Sequence, residues 1–367
     1  MNAATVIDEV LLWRVRVPLS ITYNTAIAAI DALDSIVVQV RMEDGRRGIG
    51  ETTVIPGYAF ETVDGAWEFC RTHAERIVGL KPDKARCGFD PFRHSDPHAV
   101  SALQMAIEMA EGNPLLAPPA ESRRVAILAP VNDKALDRIP DEIEARIAEG
   151  YGTLKVKVGW DVDADLRRLA LIQRICAGRV LLRVDANQGY ARAEGRRFAT
   201  SLNPEALQLL EQPCAADDWA ANAAVAERSP VPVMMDESIY GLADIDRAAA
   251  MTGCGFVKLK IAKMSGATLL LEGLQRIRAR GLVPILGNGV ATDIGCWVEA
   301  SVMRHIELPA GEMNGFLKNR AQLLTSPPRF DKGAIVLEPS ARPELDLAAL
   351  DRLGAVCERY APARLGA

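Results

Sequence analysis

The stretch LKVKVGWDVDADLRRLALIQRICAGRVLLRVDANQGY (154–190) contains one complete strand–helix–strand unit. Its ends, 154–158 and 180–184, are short runs rich in β-branched residues. Between them, 165–176 carries apolar residues at helical spacing. Two parallel strands joined by a helix need this order, because a parallel pair cannot be closed by a tight turn. The pattern recurs on both sides. Further apolar runs lie at 125–130, 207–210, 231–235, 256–261 and 283–286, with an eighth candidate at 306–309. Helical stretches such as 243–251 and 267–280 separate them. Eight such units in about 190 residues predict a closed (β/α) barrel rather than an open doubly wound sheet. The open sheet is also disfavoured because no GxGxxG follows a strand.

The first part of the chain reads differently. Strand-like runs at 6–17 and 35–41 are followed by the turn Asp44–Gly45, a returning strand at 47–51 and a helical stretch at 63–78. The predicted fold is therefore α/β: a modified (β/α)8-type barrel at 121–322, with an α+β capping domain at 1–120. The segment 323–367, with Pro327–Pro328 and a short strand at 334–337, is expected to complete the cap.

Bulk properties narrow the function. The chain has 367 residues, 49% hydrophobic and 25% charged, as in an ordinary soluble protein. A net charge of −5 gives no electrostatic case for nucleic acid or an acidic membrane. The N-terminus places Asp8 and Glu9 ahead of its apolar stretch, unlike a signal peptide. No run of about 18 apolar residues suggests a membrane span. Seven scattered cysteines without a CxxC pair suggest reduced thiols and a cytoplasmic location.

Catalytic groups in a barrel sit at the C-terminal ends of its strands. There the apolar runs give way to Lys155 and Lys157, Asp185 and Asn187, Glu211, Asp236 and Glu237, Lys258 and Lys260, and Glu312. A lone KxK is usually a solvated edge, and a lone Asp after a strand usually caps a helix. Recurrence on five consecutive strands is harder to explain that way. Asp185, Glu211 and Asp236 are 26 and 25 residues apart, one βα unit each. Three converging carboxylates repel unless a cation neutralises them. An all-oxygen set without histidine points to Mg²⁺, with Mn²⁺ as the other hard ion that suits it. A cation and lysines together suit removal of the proton next to a carboxylate, since the metal offsets the charge of the enediolate. A lysine can be the base only if a neighbouring cation lowers its pKa, as Lys155 beside Lys157 or Lys258 beside Lys260 would.

The motifs KVKVG (155–159), VDANQGY (184–190), LEQP (210–213), MDES (235–238) and LKIAKMSG (259–266) resemble the enolase superfamily, in its muconate-lactonizing subgroup. VPL (17–19) and EDGRRGIGET (43–52) resemble that family's cap. The resemblance implies Asp185, Glu211 and Asp236 as metal ligands, Lys157 and Lys260 as the acid–base pair, and Lys155 as an electrostatic helper. Asn187 and Glu237 would support them, and Glu312 would orient the reacting carboxylate. The mandelate-racemase subgroup would need a catalytic histidine after strand seven, where this chain reads LGNGVATDIG (286–295). His305 falls beyond that loop, and Pro97 argues against a helical site of His94 and His98.

Two departures stand out. The stretch 104–119 looks shortened, and Asn288, Thr292 and Asp293 form an unusual loop after strand seven. That loop either contacts substrate or, through Asp293, simply caps the next helix. Cap loops at 20–28 and 53–60 are expected over the barrel mouth, with Tyr23, Tyr58 and Phe60 as candidate walls.

The expected substrate is a small carboxylate, amino-acid-like or imino-acid-like, whose ammonium Asp293 and Glu312 would pair with. Proton abstraction is the common step: return of a proton gives racemisation or epimerisation, loss of a β-hydroxyl gives dehydration, and the step run as addition across a double bond gives cycloisomerisation. Readings of another class are a Schiff-base lysine aldolase and a non-catalytic metal-binding barrel. A homo-oligomer is expected.

Overall fold

The computed structural model describes residues 5–24, 29–55, 60–133, 135–339 and 342–362, with only the backbone of Tyr23 and Asn24. Tyr58 and the Tyr23 side chain, both expected as site walls, lie outside the described residues.

An antiparallel sheet opens the chain: β1 (Ile7–Asn24), β2 (Ala29–Met42) and β3 (Arg47–Thr53). Val10 pairs with Val40 and Val38 with Gly50. Alternation along the strands sends one set of side chains to each face. Val10, Leu12, Ile36, Val38 and Val40 pack with the helices α1 (Val63–Ile77), α2 (Pro82–Cys87) and α3 (Pro97–Glu111). Trp13, Val15, Val17, Leu33 and Val37 face the barrel instead and join its core. Gly48 and Gly50 let α3 lie directly on β3. A Cβ at Gly50 would fall 2.1 Å from the Ala102 carbonyl oxygen.

The strand–helix units come next. After β4 (Arg123–Ala126) come β5 (Ala129–Val131), α4 (Ile139–Ala148), β6 (Thr153–Lys157), α5 (Val162–Cys176), β7 (Leu181–Asp185) and α6 (Arg192–Thr200). Then come β8 (Leu207–Glu211), α7 (Trp219–Ala226), β9 (Val233–Met235), α8 (Leu242–Ala249), β10 (Cys254–Leu259), α9 (Ala267–Ala279), β11 (Val283–Leu286) and α10 (Asp293–Met303). Strands β5 to β11 form one parallel sheet in chain order.

The eighth run expected at 306–309 is not a strand. Pro309 has no N–H to give to a ladder, and the eighth position is taken by Gly311 and Glu312. Leu128 N donates to Gly311 O at 2.8 Å, Gly311 N to Ala126 O at 2.9 Å, and Glu312 N to Leu286 O at 2.9 Å. These bonds close the curled sheet into a barrel. A Cβ at Gly311 would sit 2.8 Å from Leu286 O, so only glycine allows this approach.

Among the described residues of the segment expected to complete the cap, the last strand joins the cap sheet. The strand β14 (Val356–Tyr360) pairs antiparallel with β1. Earlier, β12 (Arg329–Asp331) and β13 (Ala334–Leu337) form a hairpin on β4 at the barrel, and α11 (Leu347–Arg352) comes after them. No helix among the described residues is long and apolar enough to cross a membrane.

The barrel interior is layered. Leu209, Met234, Phe256 and Ile285 form a small apolar cluster. Strand alternation puts the first three on the face of Glu211, Asp236 and Lys258, one step deeper. The charged groups therefore rest on an apolar floor at the C-terminal ends of the strands.

Candidate active site

Register brings the charged residues level. Lys157 is opposite Asp185, and Asp185 is opposite Glu211. Tight backbone turns set the course of the chain beyond each strand end. Gly159 (φ +103°) lies against Gly189, and a Cβ on either would fall within 2.4 Å of carbonyl oxygens. Asn187 takes a left-handed conformation (φ 41°), and so does Gln212 (φ 35°). Gln212 locks two strand ends together: its Oε1 accepts from Asp236 N at 3.0 Å, and its Nε2 donates to Ser238 Oγ at 2.9 Å.

Within this frame four lysines and four carboxylates interleave, all buried. Lys155 Nζ lies 2.8 Å from Asp185 Oδ2, 2.9 Å from Glu211 Oε2 and 2.8 Å from Glu312 Oε2. Lys157 Nζ bonds Asp185 Oδ2 at 2.6 Å and Asn187 Oδ1 at 2.5 Å. Lys258 Nζ bonds Glu312 and lies 3.1 Å from Glu211 Oε1 and 3.5 Å from Asp236 Oδ2. Lys260 Nζ bonds Asp236 Oδ2 at 2.7 Å. Asn187 Nδ2 donates to Glu237 Oε1 at 2.8 Å. The cavity above is lined by the four lysines, Asp185, Asn187, Asp236 and Glu312, by Ile30, Thr53, Ile55 and His98 from the cap, and by Asn288, Gly289 and Val290.

The surroundings tune the lysines in opposite directions. Burial alone would lower Lys155, but Asp185, Glu211 and Glu312 hold it well above the usual range. Lys258 is likewise raised, by Glu211 and Glu312 against burial. Lys260 is pushed well below its usual value, first by burial and then by the charge of Lys263. Lys263, a second cation beside the expected neighbour Lys258, thus contributes to the depression of Lys260. The Lys263 Nζ lies 4.3 Å over the Tyr240 ring and 3.3 Å from Asp236 O. Burial and the Asp185 charge raise Glu211 to about 7. Glu237 rises to about 8 through burial and Asp236.

The loop after β11 differs from expectation. Asn288 lines the cavity, and its N donates to Glu299 Oε2 at 3.0 Å. Thr292 and Asp293 do not reach the cavity, because both are spent on the scaffold. Thr292 caps α10, and its hydroxyl and N–H both go to Glu51 of β3. The Asp293 carboxylate accepts from Leu323 N at 2.9 Å and Leu324 N at 2.8 Å. It is therefore not placed to meet a substrate ammonium, nor does it cap its own helix. Phe60 is exposed and packs on Tyr240 rather than on the cavity.

Several residues here are not among the site residues expected from the sequence. Glu299 accepts from both Ile261 N and Asn288 N, tying the turn after Lys260 to the loop after β11. Lys318 donates to Gly289 O, and burial brings its pKa down to about 7. His98 reaches the cavity from α3, with Nδ1 held 2.5 Å from Glu61 Oε2. Lys263 stands within LKIAKMSG, so its motif is a usable signal. The others have no short-range signature.

Glu51 carries a measurable consequence. Burial lifts its carboxyl from 4.5 to about 7, against the bonds from Thr292. The folded protein therefore holds this proton more tightly than the unfolded chain does. That contribution to stability is complete below the unfolded value and is lost as pH rises from 4.5 to about 7. Glu51→Gln is expected to gain on the wild type across that window by about 3 kcal/mol at most. Urea unfolding at pH 5 and pH 8 checks this; parallel pH profiles for the two proteins would sink it.

Comparison with known proteins agrees with this geometry. Residues 138–343 match the family described as enolase C-terminal domain-like. Muconate cycloisomerase 1 of Pseudomonas putida is 28% identical over 80% of this chain and 83% of its own length. L-Ala-D/L-Glu epimerase of Clostridium acetobutylicum is 26% identical over 81% and 84%. Cis-3-hydroxy-L-proline dehydratase of Roseibium aggregatum is 26% identical over 65% and 67%. The solved muconate lactonizing enzyme of Pseudomonas putida superposes with a TM-score of 0.86 at 23% identity, covering 96% of this chain and 100% of that one. The chain belongs to the enolase C-terminal domain-like family and is an enolase-superfamily enzyme of the isomerase or lyase type.

Proposed function

We propose that the protein abstracts the proton alpha to the carboxylate of a small amino-acid-like or imino-acid-like substrate, with Mg²⁺, and completes a racemisation, epimerisation or dehydration. The observation that carries this reading is the placement of Lys157 and Lys260. They line one cavity from strands four positions apart and lean on different carboxylates, Asp185 and Asp236. Two amines so placed suit opposite faces of a carbon held between them.

The donor set fits a hard divalent ion. Asp185, Glu211 and Asp236 present only oxygens, and Glu211 Oε2 accepts no hydrogen bond although Lys155 Nζ lies 2.9 Å away. An ion held there would offset the second negative charge that develops on the substrate carboxylate. Lys155 adds positive charge on the same side. Lys260 takes the proton from one face. Lys157, oriented by Asn187, returns a proton to the other or assists a leaving β-hydroxyl. The residues 1–120 with the final strand act as a cap that excludes water from this step. With Asp293 committed elsewhere, Glu312 is the remaining carboxylate of the expected ammonium pair. The epimerase and dehydratase relatives favour amino-acid-like substrates.

Cycloisomerisation is the second reading. The apolar Ile30, Ile55 and Val290 walls and the cycloisomerase relatives favour it. A homo-oligomer in the cytoplasm belongs to the same proposal; the seven free cysteines support the location, and light scattering tests the assembly.

Proton NMR in D₂O with Mg²⁺ tests the chemistry, on pools of amino acids, imino acids, N-acylated amino acids, hydroxy acids and cis,cis-muconate. Loss of an α-proton signal, abolished by EDTA, is the expected result. Consumption of muconate alone would favour the second reading. Exchange that persists in EDTA would overturn the metal-assisted one.

A further inference from the structure

The lysine on β10 one step below Lys260 has no part in the proton transfers, yet it sits among the carboxylates. Lys258 Nζ bonds Glu312 and lies 3.1 Å from Glu211 Oε1 and 3.5 Å from Asp236 Oδ2. It is 3% exposed. Two of its three neighbours are carboxylates assigned above to the divalent ion. We propose that Lys258 is a built-in counter-cation that competes with the divalent ion for the carboxylate set, an inference that rests on the metal reading of this site.

The geometry has the character of a site filled by ammonium groups. The nitrogen-to-oxygen separations around Lys155 are 2.8 to 2.9 Å, and Lys258 stands 3.1 Å from Glu211 and 3.5 Å from Asp236, with a closer contact to Glu312. Magnesium needs oxygens at about 2.0–2.1 Å. Among the described residues, no three histidine, cysteine, aspartate or glutamate side chains are gathered tightly enough to hold an ion as they stand. Binding one requires the carboxylates to draw inward and the Lys258 ammonium to give way.

Formal charge agrees. Lys155, Lys157 and Lys258 oppose Asp185, Glu211 and Glu312 at short range, so much of the carboxylate charge is offset before any ion enters. Buried carboxylates on separate strands would otherwise repel each other across a dry interior. Lys258 keeps them assembled without metal, and the same charge opposes a divalent ion at short range. The protein is thereby a weak magnesium binder whose ligands are held near one another but must rearrange to take the ion.

The test uses the full-length protein stripped of metal, with Mg²⁺ titrated by calorimetry into wild type, Lys258→Met and Lys258→Gln. Thermal melts with and without EDTA run alongside and show which variants fold. Both variants are expected to bind Mg²⁺ at least tenfold more tightly than wild type. In EDTA they should melt at lower temperature than wild type, with Mg²⁺ restoring more stability to them than to it. Equal or weaker Mg²⁺ binding by a folded variant overturns the proposal while leaving the metal reading intact. No Mg²⁺ binding by wild type or by either folded variant overturns both.

Discussion

Replacing Lys260 by alanine is expected to slow α-proton exchange by about 10³-fold, within the range that a positioned acid–base group contributes. The side chain and the backbone that follows it are both fixed. Its Nζ meets Asp236 Oδ2 at 2.7 Å, and the next residue is clamped from the barrel by Glu299 and from the cap by Ser101, whose Oγ donates to Ile261 O at 2.6 Å. Alanine removes the amine and leaves that clamp in place, so the fold should persist, as circular dichroism would show. The informative comparison is with Lys157→Ala. If the two lysines serve opposite faces, each variant should retain exchange of one enantiomer and lose that of the other. Loss of exchange for both enantiomers in one variant, with both retained in the other, would mean that a single lysine does all the proton transfer.

The second large effect concerns stability. Glu312→Gln should destabilise the metal-free protein by about 3–5 kcal/mol, the usual cost of stripping one partner from a buried ion pair. Glu312 faces two ammonium groups, Lys155 at 2.8 Å and Lys258. Both lysines are buried and hold their protons firmly, so neither escapes the loss by turning neutral. Glutamine has nearly the same shape, which keeps packing out of the comparison. Urea unfolding in EDTA measures the change. A loss under about 1 kcal/mol would show that Glu211 and Asp236 compensate the lysines without Glu312.

The sequence is most informative where periodicity and charge coincide. The inner strands read as apolar runs because both their faces are buried, and a charged residue at the end of such a run has to be explained. That logic finds Lys155, Lys157, Asp185, Glu211, Asp236 and Lys260. It misplaces the eighth strand, since an apolar run such as 306–309 does not reveal that its proline cannot join a ladder and that Gly311 approaches more closely. It misjudges Thr292 and Asp293 for another reason. A polar residue after a strand looks the same whether it faces a cavity or satisfies orphaned backbone groups, and here the partners, Glu51 and Leu323, lie 241 and 30 residues away. Glu299 is invisible because nothing local marks a side chain whose partner comes from a distant element, whereas His98 is set aside on account of Pro97, which in fact opens α3 at a position where proline is tolerated.

The seating of α3 bears on how such an enzyme acquires a new substrate. The helix that Gly48 and Gly50 admit against the cap sheet is the same one whose Ser101 grips the turn after Lys260, and whose Glu108 receives Ala267 N at the start of α9. The recognition layer and the reacting layer therefore share a beam. A mutation that tilts this helix to reshape the cavity roof also moves the base, so selectivity and turnover drift together along that route. The loop after β11 is tied to the same turn through Glu299, so changes there share the penalty. Adaptation in this scaffold is costly through α3 and through that loop.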